Sequence, residues 1–175
     1  MKIETKRLVI RELRGADVPA LAELWTDADA ARYMGGPRKY DEVFQNLLED
    51  VRSGQADLDL WPVIEKETGT VVGHFGILDK EVEGITEYEL VYVLAKPSWG
   101  KGFATEGASA LKDYAFKELG LKRIIALIEP ENVNSEKVAH RIGLRYERDV
   151  VRPGGRVMKL YAASSGSVSQ AQEGL

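Results

Sequence analysis

The sequence predicts one α/β (α+β) domain, a mixed and mostly antiparallel sheet of about seven strands with helices on both faces. Three β-rich runs follow one another between residues 61 and 95, separated by short breaks. Apolar residues recur at helical spacing in separate stretches before and after that block. A continuous apolar run from Arg123 to Ile128 lies between the last two helical stretches, as expected of a strand covered on both faces.

The elements follow in the order β-α-α-β-β-β-α-β-α-β-β. Leu8 to Leu13 reads as the first strand, and Asp17 is placed to cap a helix carrying Leu21, Leu24 and Trp25. A second helix starts near Asp41, sets Val43, Phe44, Leu47, Leu48 and Val51 on one side, and stops at Ser53-Gly54. Trp61 to Lys66 and Thr70 to Leu78 form a hairpin around Glu67-Thr68-Gly69, and Glu87 to Ala95 adds a third strand. The longest helix runs from about Phe103 to Leu119 with a small-residue stripe of Ala104, Ala108, Leu111 and Ala115, and Gly120 stops it. After the Arg123 to Ile128 strand comes a short helix from about Ser135 to Ile142, closed by Gly143. Arg145 to Val151 and Arg156 to Tyr161 make a last hairpin. The domain therefore spans residues 1-162, and the Ser-, Gly- and Gln-rich stretch 163-175 is expected to be a disordered tail.

Composition narrows the function. The formal charge of -4 gives no basic field for nucleic-acid phosphates. With no cysteine there is no disulfide scaffold, thiolate metal site or cysteine nucleophile, and two histidines are too few for a His-rich metal centre; no metal is expected. No run approaches the ~20 apolar residues that span a bilayer, and no apolar signal core follows the charged stretch Lys2 to Arg7. A cytoplasmic chain without a membrane partner is the expectation.

The densest chemical signal is Lys96-Pro97-Ser98-Trp99-Gly100-Lys101-Gly102-Phe103-Ala104-Thr105-Glu106, between the third strand of the meander and the longest helix. A strand that ends in glycines and turns into a helix presents unpaired N-H groups at the positive end of the helix dipole, a seat for pyrophosphate. Gly100 and Gly102 let an anion approach the backbone, and Lys101 adds a charge nearby. A plain connecting turn is the competing reading of the loop alone. No G-x-x-x-x-G-K-[ST] is present, and the third glycine of the dinucleotide fingerprint is missing.

Three segments in order carry a resemblance: Glu4-Thr5-Lys6-Arg7-Leu8-Val9-Ile10-Arg11, Trp99 to Glu106, and Asn132-Val133-Asn134-Ser135 followed by Arg141-Ile142-Gly143-Leu144. With them the chain resembles the Gcn5-related N-acetyltransferase (GNAT) superfamily, and within it the branch of RimJ/RimL-type ribosomal-protein N-terminal acetyltransferases. Its general loop pattern, [QR]-x-x-G-x-[GA], is met by Gly102 and Ala104, with Trp99 at the first position.

The resemblance implies the GNAT fold and acetyl-CoA as co-substrate, its pyrophosphate on the amides of Gly100, Lys101, Gly102, Phe103, Ala104 and Thr105 beside Trp99. It implies pantetheine lying like an added strand along Tyr92, Val93 and Leu94, with a backbone N-H near Val93 as oxyanion donor. Glu89, ten residues before Trp99, takes the position of the catalytic glutamate of related histone acetyltransferases. It is the candidate base, with a solvated strand carboxylate as the alternative. Relatives use a tyrosine four residues before the glycine that ends the short helix. Here that position is Ala139, and Ser135 is the substitute acid. Asn132 and Asn134 are assigned to cofactor contact, with helix capping as their other role.

Trp25, Tyr33, Tyr40 and Trp61 with Met34-Gly35-Gly36-Pro37 are candidates to frame an acceptor pocket. His74 reads as a hydrogen-bonded structural histidine and His140 as a surface residue. The implied activity is acetyl transfer to a primary amine, on a protein N-terminus or a small molecule, by direct attack on the thioester. A silent acyl-CoA sensor, another acyl donor and a hydroxyl acceptor stay open, as does a homodimer.

Overall fold

The computed structural model describes residues 1-166. Eight strands form one sheet: β1 (Lys2–Glu4), β2 (Leu8–Arg11), β3 (Leu60–Glu65), β4 (Val71–Val82), β5 (Ile85–Leu94), β6 (Arg123–Ile128), β7 (Arg145–Val151) and β8 (Val157–Ser164). The helices are α1 (Val18–Thr26), α2 (Tyr40–Ser53), α3 (Phe103–Lys117) and α4 (Val133–Arg141). In space the strands run β1-β2-β3-β4-β5-β6-β8-β7, and β5–β6 is the parallel pair in an otherwise antiparallel sheet. No helix among the described residues is long and apolar enough to cross a membrane.

The predicted element order holds, with differences at the edges. Strand β1 was not expected: three residues of alternating charge, pairing Ile3 with Ile10 at the sheet edge, give too short a pattern to register in sequence. Strands β4 and β5 reach well past Leu78 and before Glu87. They close on a two-residue turn at Glu83-Gly84, where Glu83 takes φ 49 and Gly84 φ 82, the paired positive φ of a hairpin turn. Strand β8 extends to Ser164, with Ala163 opposite Ile124 and Ser164 opposite Arg123, so the domain continues past 162. The remainder of the expected tail, from 167, lies outside the described residues. Asp17 does not cap α1 with its side chain. Its carboxylate is held by Arg11 at 2.7 Å and 3.0 Å and accepts the Arg14 N-H at 2.9 Å.

Alternation along β5 divides the core. Val91 and Val93 face α1 and α2, packing with Leu21, Trp25 and Leu47. Leu90 faces the other way with Phe75, Leu111 and Ala139, under α3 and α4. The stripe on α3 is small because that helix lies close to the sheet: a Cβ added at Gly107 would sit 2.6 Å from the ring of Phe75, which is fully buried. In an open helix, Gly to Ala gains about 0.5–1 kcal/mol. Here steric overlap decides the sign, and Gly107→Ala is expected to destabilise the fold by about 1–3 kcal/mol, lowering the melting temperature by several degrees. A melting curve equal to or above that of the parent would contradict this packing.

Candidate active site

The hydrogen-bonded register between β5 and β6 consists of Glu89 opposite Ile125. Beyond it the strands diverge, and a cleft of about 570 Å³ opens between Leu90–Leu94 on one side and Ala126–Ile128 on the other. Backbone of β5 that would have paired with β6 faces this wedge instead.

At the wide end, the chain leaves β5 and enters α3 through the glycine loop. Gly100 and Gly102 have φ of 76° and 81°, conformations that side-chain-bearing residues rarely adopt, and a Cβ at Gly100 would meet nothing within 4 Å. The first bond into α3 runs from Glu106 N-H to the Gly102 carbonyl at 3.1 Å, and no side chain among the described residues caps the helix. The amides of Phe103, Ala104 and Thr105 therefore have no acceptor within the helix and border the cleft. This cradle of free amides at the positive end of a fifteen-residue helix fits a pyrophosphate. Trp99 laces the loop back to the strand, its indole N-H donating to the Leu94 carbonyl at 3.0 Å.

A clamp from the first strands fixes the loop from behind. Glu106 accepts from Thr5 Oγ1 at 2.7 Å, from the Arg7 backbone N-H at 2.8 Å and from Arg7 Nε at 2.7 Å. Arg7 Nη1 donates to the Lys101 carbonyl at 2.8 Å, and the guanidinium lies 4.6 Å over the Phe103 ring. Burial raises the Glu106 pKa, but the donors from Thr5 and Arg7 outweigh it and leave the carboxyl below its ordinary value. The Thr-x-Arg of the opening segment and the Glu of the loop thus meet physically. Their separation of 99 residues hides this from any local reading.

Near the point where the strands part, Glu89 is 8% exposed and borders the cleft. Burial pushes its pKa up, and Lys80, with Nζ 3.4 Å from Oε2, pulls partly back. Glu87, on the same strand face, is committed to Arg123 at 3.1–3.2 Å. Across the cleft, Ser135 stands in the first turn of α4, where Asn132 caps the helix by accepting the Ser135 N-H at 3.2 Å. The Tyr92 hydroxyl lies 2.9 Å from Ser135 Oγ and 3.0 Å from the Ser135 carbonyl, and burial pushes its pKa up to about 12.

Of the site residues read from the sequence, Glu89, Tyr92, Val93, Leu94, Trp99, Gly100, Gly102, Phe103, Ala104, Thr105, Asn132, Asn134 and Ser135 all border this one cleft. Lys101 does not. Its side chain turns toward Phe103, with Nζ 5.8 Å from the ring centroid, and its carbonyl is held by Arg7. In the acceptor region Tyr33 and Met34 line the cleft, whereas Trp61 is core, Tyr40 stacks on Phe44 at the surface, and Trp25 is buried against His74. His140 is exposed, its ring edge-on to Tyr161. The sequence reading used Arg7 and Arg141 only in the resemblance, without a site role, and missed Arg32 and Lys137. Lys137 and Arg141 share a face of α4 at i,i+4 spacing, a signal too common among surface helices to stand out.

Residues 7–145 match the family described as acetyltransferase (GNAT) domain. The chain belongs to the GNAT acetyltransferases. It is 34% identical over 170 residues to the uncharacterized N-acetyltransferase p20 of Bacillus licheniformis, covering 91% of this chain and 93% of that one. It is 34% identical over 147 residues to the uncharacterized N-acetyltransferase YnaD of Bacillus subtilis, covering 84% of each. A solved GNAT-family acetyltransferase from Bacillus anthracis superposes with a TM-score of 0.80 at 29% identity, over 94% of this chain and 99% of that one. A more distant aminoglycoside acetyltransferase, solved in complex with coenzyme A, shares the fold at 17% identity and a TM-score of 0.72, over 90% and 94% of the two chains. The protein is an acetyltransferase of a family that uses acetyl-CoA.

The clamp generates a prediction. Glu106→Ala removes the acceptor shared by Thr5 and Arg7, and acetyl-CoA is expected to bind about tenfold more weakly, read by calorimetry on folded protein. An unchanged dissociation constant would show that the loop holds its shape without the first strands.

Proposed function

We propose that the protein transfers acetyl to a primary amine, a protein N-terminus or a small amine, with Glu89 as general base. The observation that carries this reading is a buried carboxylate at the point where β5 and β6 part, bordering the same cleft as the free amides of α3. An alkylammonium with pKa near ~10.4 has no lone pair to attack with at neutral pH, so a proton must leave first. A carboxylate in water is too weak a base to help much, and burial makes Glu89 a stronger one.

Acetyl-CoA, when bound, supplies a thioester carbonyl. The chain's own groups divide the remaining work. The amides of Gly100 and of Gly102 to Thr105 hold the pyrophosphate, and Lys137 and Arg141 add positive charge on the α4 wall of the cleft. Asn134 and the β5 edge at Tyr92–Leu94 border the course of pantetheine, and a backbone N-H of this edge beside Val93 is assigned to the developing oxyanion. Tyr92 and Ser135 form a hydroxyl couple in place of the absent tyrosine at position 139. Either hydroxyl can donate to the other, which leaves one proton for a departing thiolate. Burial pushes the phenol's pKa up to about 12, so Tyr92 stays protonated at neutral pH and the pair keeps both of its protons for the transfer step. Helix capping by Asn132 sets Ser135 in position for this role.

The three sequence segments favour the RimJ/RimL-type branch, and hence a protein N-terminal amine, among the amine acceptors. The test is CoA-thiol release across N-terminal peptides, polyamines and aminoglycosides. Turnover with a hydroxyl acceptor and with none of these amines would overturn the reading.

Two mutations probe the assignments. Glu89→Gln is expected to lower kcat by ~10²-fold while the KM for acetyl-CoA stays near that of the parent. The base acts deprotonated, so kcat/KM in the parent falls as pH drops through a pKa above the ordinary 4.5, and this limb should vanish in the variant. Full activity in Glu89→Gln would remove the residue from the role. Tyr92→Phe and Ser135→Ala should each lower kcat by about tenfold, and the double variant little further, because the two hydroxyls act as a unit. Additive losses would contradict the couple.

A further inference from the structure

The strand face that carries Glu89 also carries Glu87, and each carboxylate has its own cation. The antiparallel register sets Lys80 of β4 directly opposite Glu87 and Leu78 opposite Glu89. Glu87 is the nearest partner for Lys80, but Arg123 of β6 already holds that carboxylate through Nε and Nη2 at 3.1–3.2 Å. Lys80 reaches diagonally across the strands instead, and its Nζ lies 3.4 Å from Glu89 Oε2.

The two pairs are built differently. Arg123 meets Glu87 through two nitrogens and also holds Glu147, at 2.6 Å and 2.8 Å, a fork that fixes geometry. Lys80 makes one longer contact from a half-buried stem, and its partner borders the acetyl-transfer cleft, which Glu87 does not. Burial pushes the Glu89 carboxyl up, and Lys80, then Arg152 and the Leu127 backbone of β6, draw it partly back. Arg152, just after β7, is fixed beside β4 by donating from Nη1 to the Glu81 carbonyl at 2.7 Å. A cation therefore stands on the candidate base at the place a cationic substrate must reach.

An alkyl amine arrives from neutral water as an ammonium ion. A buried carboxylate with no counter-ion would pair with that ion, and the pairing would stabilise the form that cannot attack a thioester. We propose that Lys80 is a positioning residue of acetyl transfer: by occupying the Glu89 carboxylate it opposes pairing of the acceptor there as an ammonium, and leaves the carboxylate to take the acceptor's proton. Like charges gathered at one carboxylate repel, so the acceptor beside Lys80 favours its neutral form, and the proton it gives up passes to Glu89. The inference rests on Glu89 as the base.

The probe is ethylammonium, small enough to reach the carboxylate whatever the natural acceptor, titrated against sodium at constant ionic strength. In protein labelled with carbon-13 at the glutamate carboxyls, Glu89 is the NMR signal that Glu89→Gln lacks. A saturable shift of that signal is expected in Lys80→Gln at a concentration at least about threefold lower than in the parent, with Lys80→Arg close to the parent. With the amine that releases CoA thiol fastest, Lys80→Gln should lower the KM for the amine and kcat together, the signature of a ground state bound too well. A merely structural loss would not lower KM. An equal response to ethylammonium in parent and Lys80→Gln, no response in either, or a KM that is unchanged or raised would overturn the role. Failure of the base assignment reads differently: Glu89→Gln then keeps full turnover, while the ethylammonium titration still separates Lys80→Gln from the parent.

Discussion

The divergence of β5 from β6 is the constraint from which the candidate active site follows. A parallel pair needs a crossover connection, and here α3 supplies it, so the loop that opens the helix must leave from the very strand that borders the gap. One geometric fact therefore places free helix amides, an unpaired strand edge and the Glu89 carboxylate beside a single cleft. Had the two strands stayed paired through Leu94, the edge would be covered and the cleft closed. The antiparallel pairing of β4 with β5 runs unbroken from Gly73–Leu94 to Val82–Ile85 and holds one wall rigid, while β6 is held from its far side by β8.

Elements with strong local signals could be read from the sequence. The helical spacing of α2, the glycine stops after α3 and α4, and the apolar run of β6 all depend on neighbouring residues, and they appear within a residue or two of where pattern alone puts them. What local pattern missed was decided by distant contacts. Strand β1 exists because β2 offers it an edge. The turn at Glu83-Gly84 carries no Asn-Gly or Asp-Gly signature, and its conformation is held from outside, where Glu83 accepts from Arg148 at 2.6 Å and from the Val151 N-H at 3.2 Å. Val157 to Ser164 continues past the expected stop because β6 offers partners as far as Arg123.

The site divides in the same way. Backbone groups and the residues beside them were legible, because a glycine loop between strand and helix has a fixed meaning. Side chains whose roles depend on what they face were not. Lys101 belongs to the loop in sequence yet turns away from the cleft, and Tyr92 proved to be a hydrogen-bond partner of Ser135 as well as a strand residue. Trp99, which departs from the general pattern of the loop, gains a reason in its bond to Leu94. His74 was legible as a bonded histidine, but its partner, the Trp25 indole, was not.

The clamp on the loop joins Thr5 and Glu106, residues 101 apart in the chain. Closing so long a span carries a large entropic penalty and tends to come late in folding, after local helices and the central hairpins have formed. On the ribosome the residues of β1 and β2 are synthesised long before those of α3, and the clamp must wait for the helix. The glycine loop then reaches its clamped shape only when the two ends of this span have met. A rise in acetyl-CoA affinity during refolding would then serve as a clock for the last step of assembly.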